Sequence, residues 1–104
     1  MATGLVSTEA RAALKQMASI AVLEESRSPD GEIVFSSADS MLFPDEVKDG
    51  MVKGLAALVL LPGDKEASKI AGSNLPKMYQ PDFKPEQIIA LARELLPILT
   101  LHLL

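Results

Sequence analysis

The sequence has no cysteine, no tryptophan and one histidine, and aromatic residues make up only 4% of its 104 positions. Without cysteine there can be no disulfide framework, no thiolate zinc site and no cysteine nucleophile. A reducing compartment suits such a chain, so the expected location is cytoplasmic. Basic charge is also scarce, with 10 Lys and Arg against 14 Asp and Glu, a net charge of −4. Residues 1–61 carry the whole imbalance, with five basic and nine acidic side chains, while residues 62–104 balance at five each. No basic stripe is available to displace counterions from a phosphate backbone, so no nucleic-acid partner is expected. Long apolar runs are missing as well. Leu55–Leu61 is seven residues long, and the 17 residues from Ile88 are interrupted by Arg93, Glu94 and Pro97. A membrane helix needs roughly 20 apolar residues, so no membrane partner is expected. The N-terminus lacks the positive and apolar regions of a secretory leader.

What is present is aliphatic. Hydrophobic residues make up 48% of the chain, 16 of them leucine, and the mean hydropathy is +0.22. This length and apolar load imply a single domain over 1–104, with 1–6 expected to be flexible. Leu95–Leu104 holds six leucines and no formal charge.

The periodicity predicts a mostly α fold: a compact small helical domain of about four helices, with room for one short β-strand or hairpin near 32–37. Ser7 and Thr8 can cap a first helix over about 8–24. Its apolar face is Ala10, Ala13, Leu14, Met17, Ile20 and Ala21. Glu25–Gly31 reads as a turn, because Pro29 fixes φ and Gly31 tolerates positive φ. Glu32–Ser37 has strand-favouring residues, and an alternative pairs 19–24 with 32–37 as a hairpin. Pro44, followed by Asp45 and Glu46, opens a second helix that runs to Leu61 and stops at Pro62-Gly63. Its second half is apolar all round, which predicts the central helix. Asp64 can cap a short third helix over 65–71, closed by Gly72. Residues 73–85 contain Pro76, Pro81 and Pro85 and read as a proline-rich ordered loop, pinned by Leu75, Met78, Tyr79 and Phe83. The C-terminal helix, 86–104, is expected to kink or end at Pro97.

The chemical motifs are few. Ser26–Ile33 resembles part of a calcium-binding EF-hand loop, with Gly31 at the sharp turn and Ser26, Ser28 and Asp30 at ligand positions. Ser26 stands where the first Asp belongs, and Ser37 where the closing Glu belongs. One carboxylate is too little charge for calcium, so the segment is read as a turn, with no metal and no cofactor expected. His102 has no nucleophile or carboxylate at a useful spacing, and reads as a satisfied interface or core histidine. No phosphate-loop, serine-hydrolase or zinc-protease pattern is present. No enzyme is expected, and no catalytic residue is assigned.

The expected function is therefore a non-enzymatic protein–protein interaction domain: a small adaptor, inhibitor or complex subunit. Its surface would be aliphatic and its partner a protein, with self-association as a homodimer through the C-terminus. The residues assigned to partner contact are Tyr79, Phe83, Leu99, Leu101, Leu103 and Leu104. Gly50, Gly54, Leu55 and Leu58 are assigned to helix packing, with the two glycines marking a close crossing. The alternative is a small-molecule or lipid-binding domain with an aliphatic cavity between the second and fourth helices.

Overall fold

Leu14, Met17 and Ile20 follow one another at three-residue steps, and all three side chains are fully buried on one face of α1, Thr8–Ile20. Ser7 caps this helix, its Oγ accepting from the Ala10 N–H at 3.1 Å. The structure, a computed structural model, describes residues 7–103. The expectations for residues 1–6 and for Leu104 lie outside that range.

After α1 come β1 (Glu24–Arg27), β2 (Ile33–Ser36) and β3 (Met41–Leu42). They form an antiparallel sheet in the order β1-β2-β3. Next are α2 (Pro44–Val59), α3 (Lys65–Asn74), a 3-10 turn (Leu75–Tyr79) and α4 (Pro85–Leu103). The fold is thus mostly helical, with four helices and one small sheet.

The first helix is shorter than its stripe suggested, and the hairpin sits further along the chain. Its pairs run from Glu24↔Ser36 to Arg27↔Ile33, so Glu25, Ser26 and Arg27 belong to a strand rather than to a turn. α1 gives way after Ile20, where the Val22 and Leu23 N–H groups bond the Ser19 and Ile20 carbonyls three residues back, and two tertiary contacts hold the segment that follows. Arg93 of α4 donates from Nε to the Ala21 carbonyl and from an Nη to the Leu23 carbonyl, both at 2.8 Å. The tight turn between the strands uses Gly31 at φ +87°, where a side chain would be strained.

α2 is the central helix. It packs against α1, α3, α4, the 3-10 turn, β2 and β3. Its start is secured by Glu46, whose Oε1 accepts from the Phe43 N–H at 2.8 Å. Near its end, the Ser68 hydroxyl donates to the Val59 carbonyl at 2.6 Å.

α3 does not close at Gly72 but continues to Asn74. A helical glycine costs only about 1 kcal/mol against alanine, too little by itself to end a packed helix. The expected loop over 73–85 is also more regular than its prolines implied. Pro76 takes an early position of the 3-10 turn, where a missing N–H is tolerated. Met78 is buried, and Leu75 and Phe83 pack on the core.

α4 passes through Pro97 and reaches Leu103. Pro97 removes one intrahelical bond, yet Arg93, four residues earlier, and Pro97 both lie on the exposed side. The turns beyond Pro97 are held by other means: Leu99 is fully buried, and Arg11 of α1 donates to the Leu103 carbonyl at 2.9 Å. No described helix is long and apolar enough to cross a membrane.

Candidate interaction site

The contacts between helices set their directions. Arg11, near the start of α1, reaches the end of α4, whereas the carbonyls just after α1 reach Arg93 in its middle. α1 and α4 are therefore antiparallel. Gly50 lies against Gln16 and Ile20, and Gly54 lies against Met17, so α2 also runs antiparallel to α1. The C-terminal ends of α2 and α4 consequently meet at one end of the molecule.

That end contains the one histidine–carboxylate side-chain contact among the described residues. His102 Nε2 is 2.7 Å from Asp64 Oδ2, and both side chains are about four-fifths covered. An ionised carboxylate only accepts, so Nε2 carries the proton and donates. The other Asp64 oxygen, Oδ1, accepts from the Ala67 N–H at 3.0 Å and caps α3. One aspartate thus starts α3 and fastens the end of α4 to it. The Asp64 carboxyl is held below the ordinary aspartate range, first by the Ala67 N–H and then by His102. Both favour its charged form.

A lowered folded-state pKa stabilises the fold above the unfolded value, and this is lost as pH falls through the folded value. Asp64→Ala is therefore expected to lower Tm at neutral pH. Its deficit against the wild type should close on acidification through the lowered Asp64 pKa. Thermal melts across acidic pH check this, and a deficit that does not change with pH contradicts it.

Around this clasp the apolar residues divide. Leu60 is 81% exposed and Leu101 69% exposed. Leu60 lies four residues before Asp64, and Leu101 immediately precedes His102. Leu103 is half-buried against the core. Leu99, assigned from sequence to partner contact, is 0% exposed. Its side chain is spent on the chain's own core, because the helix continues through Pro97 and turns that position inward.

The two aromatic candidates also separate. Phe83 is half-buried and packs on the core. Tyr79 is 67% exposed, with the Lys48 ammonium 5.9 Å from its ring centroid. The structure does not bring Tyr79 together with the Leu101 end through any described contact. Gly50, Gly54, Leu55 and Leu58 are all buried, and the two glycines form the crossing with α1.

Sequence reasoning missed Leu60 and the pairing of His102 with Asp64. Leu60 lies in an uninterrupted apolar run, where no polar neighbour marks the outward phase. His102 and Asp64 are 38 positions apart, and only the topology joins them. Among the described residues no cluster of His, Asp and Glu is arranged to hold a metal ion. Comparison with known proteins gives no match to a family model, to a curated protein or to a solved structure.

Proposed function

We propose that this chain is a non-enzymatic protein–protein interaction domain, an adaptor, inhibitor or complex subunit of the cytoplasm, that self-associates through its C-terminal end. The observation that carries this reading is the outward display of Leu60 and Leu101 at the end where α2 and α4 finish. Burying one leucine side chain contributes about 1.5–3 kcal/mol. A two-fold contact buries each of the two leucines twice, which is comparable to the roughly 4–15 kcal/mol lost on association. The dimer is accordingly a weak one.

The frame beneath these leucines supports the same reading. Arg11 and Asp64 tie down the last turn of α4, so its exposed side chain is presented from an ordered helix rather than a frayed one. The only histidine is engaged through Nε2 by the carboxylate that caps α3, so it helps to hold the end that displays Leu101.

Sedimentation velocity over a concentration series tests the proposal. The wild-type chain should show a concentration-dependent dimer, and a Leu60→Glu/Leu101→Glu variant should remain monomeric with an unchanged far-ultraviolet spectrum. Both substitutions fall on exposed positions, so the fold should survive them. A wild-type chain that is monomeric throughout, or a variant that dimerises equally well, overturns the reading.

A further inference from the structure

β1 is an edge strand, paired on one side only. The Ser28 N–H donates to the Glu32 carbonyl at 2.8 Å, and hydrogen-bonded pairs alternate along an antiparallel ladder. The bonded pairs are then Ser26 with Val34 and Glu24 with Ser36, in the observed register. By the same alternation, Glu25 and Arg27 turn their backbone N–H and C=O groups toward the open edge. These groups offer one extended strand a place to add.

Beside that edge lies a cleft of about 370 Å³ lined by Leu23, Glu24, Glu25, Phe35, Glu86, Ile89 and Arg93. Leu23, Phe35 and Ile89 lie beneath it and are almost fully covered by the chain's own packing, so its rim supplies most of what a partner meets. Its rim carries three carboxylates against one guanidinium, and that guanidinium already donates to two backbone carbonyls. Glu25 lies directly opposite Phe35 in the ladder, so it shares the cleft face. A strand added to β1 would place alternate side chains over this cleft.

We propose that the open edge of β1 and the adjoining acidic cleft bind an extended segment of another protein that carries lysine or arginine at alternate positions. The added strand bonds to Glu25 and Arg27, and its alternate cations meet Glu25 and Glu86 on the cleft face. The charge argument also separates this occupant from a second copy of the chain. Two copies joined at β1 would crowd six of these carboxylates around one axis. Charged edges commonly prevent like strands from pairing, and the same charges favour a strand of opposite sign. This surface is at the far end of α1 from Leu60 and Leu101. Its failure would leave the proposed C-terminal contact standing, and the reverse also holds.

The test is a titration of the ¹⁵N-labelled full chain with two synthetic peptides, one alternating valine and lysine, the other alternating valine and glutamate. The lysine peptide should bind and slow amide exchange at Glu25 and Arg27 while leaving Ser26, already bonded to β2, unchanged. Raising salt from about 0.05 to about 0.5 M should weaken binding roughly tenfold, because the rim charges are exposed and screened. A Glu25→Gln/Glu86→Gln variant should bind several-fold more weakly. The glutamate peptide should not bind. Equal binding of both peptides overturns the proposal, as does no binding of the lysine peptide. Binding without protection at Glu25 and Arg27 overturns it as well, because that would be loose attraction to an acidic chain. Protection that grows with protein concentration before any peptide is added assigns the edge to a second copy instead, and also overturns it.

Discussion

Gly54→Val is expected to destabilise the fold by about 3 kcal/mol, a large part of the 5–15 kcal/mol that holds a typical domain together. A Cβ built on Gly54 would stand 2.9 Å from Met17 Cβ and would overlap Met17 Cε. The terminal methyl could swing away, but Met17 Cβ is fixed to the α1 backbone. Any side chain at position 54 must therefore push α1 and α2 apart, and the Leu14–Met17–Ile20 face of α1 would lose its close packing.

The other helical glycines predict graded outcomes that isolate this cause. At Gly50 an added Cβ would meet Gln16 Nε2 and Ile20 Cδ1, each at 2.9 Å. Both are tips of flexible side chains, so relief is cheap, and the gain in helix propensity offsets much of it. Gly50→Ala should be close to neutral. At Gly72, inside α3, nothing lies within 4 Å. Gly72→Ala should stabilise by about 0.5–1 kcal/mol, by restricting the unfolded chain and improving helix propensity. Urea denaturation of the single variants checks the series. The order should be Gly72→Ala above wild type, Gly50→Ala near it and Gly54→Val well below. A stabilised Gly54→Val would mean that the α1–α2 crossing is not as close as described.

The second large effect separates two leucines two positions apart. Leu99→Ala should cost about 2–5 kcal/mol, the range for a fully buried leucine whose removal leaves a cavity. Leu101→Ala should change monomer stability by no more than about 0.5 kcal/mol, because its side chain mostly faces water. In the proposed dimer the order reverses. Leu101→Ala should reduce self-association, whereas Leu99→Ala should alter it only through the fraction of folded chain. Denaturation followed at low concentration, together with sedimentation at high concentration, reads the two effects separately. If both variants lose stability equally, α4 does not continue past Pro97 as a regular helix.

This second comparison also shows where sequence reasoning stops. Composition singled out the leucine-rich end, because six leucines in ten residues stand out without any knowledge of the fold. It could not divide them. Pro97 argues locally for a break, and a break would free every later leucine. Tertiary contacts decide otherwise: the Arg11 bond to the Leu103 carbonyl and the His102–Asp64 pair act from segments distant in sequence. Helical phase then carries through, with Leu99 inside and Leu101 outside.

The hairpin illustrates the same limit from the other direction. Strand-favouring residues at 32–37 pointed to a short strand, with 19–24 as the alternative hairpin partner and 25–31 read as a turn. The apolar stripe of α1 extends past Ile20, so local pattern favoured a longer helix. The helix instead gives way after Ile20, and Arg93 holds the segment leading into β1 by taking the carbonyls of Ala21 and Leu23. An arginine 70 positions away carries no local signal of that role.

By itself, the sequence determined the helical class, the aliphatic core, the start of each helix and a close helix crossing at Gly50 and Gly54, while the tertiary structure supplied α1 as the partner of that crossing. Each of these depends on chemistry within a turn or two: a capping Ser7 or Asp64, Pro44 at a first turn, and small Gly50 and Gly54 on one helix face. Tertiary structure alone decided which leucines remain outside, which acid meets the only histidine, and which strand edge is left open beside three glutamates. These depend on the directions in which the helices run, and helix direction is set by the sum of many weak contacts across the chain rather than by any one segment's pattern.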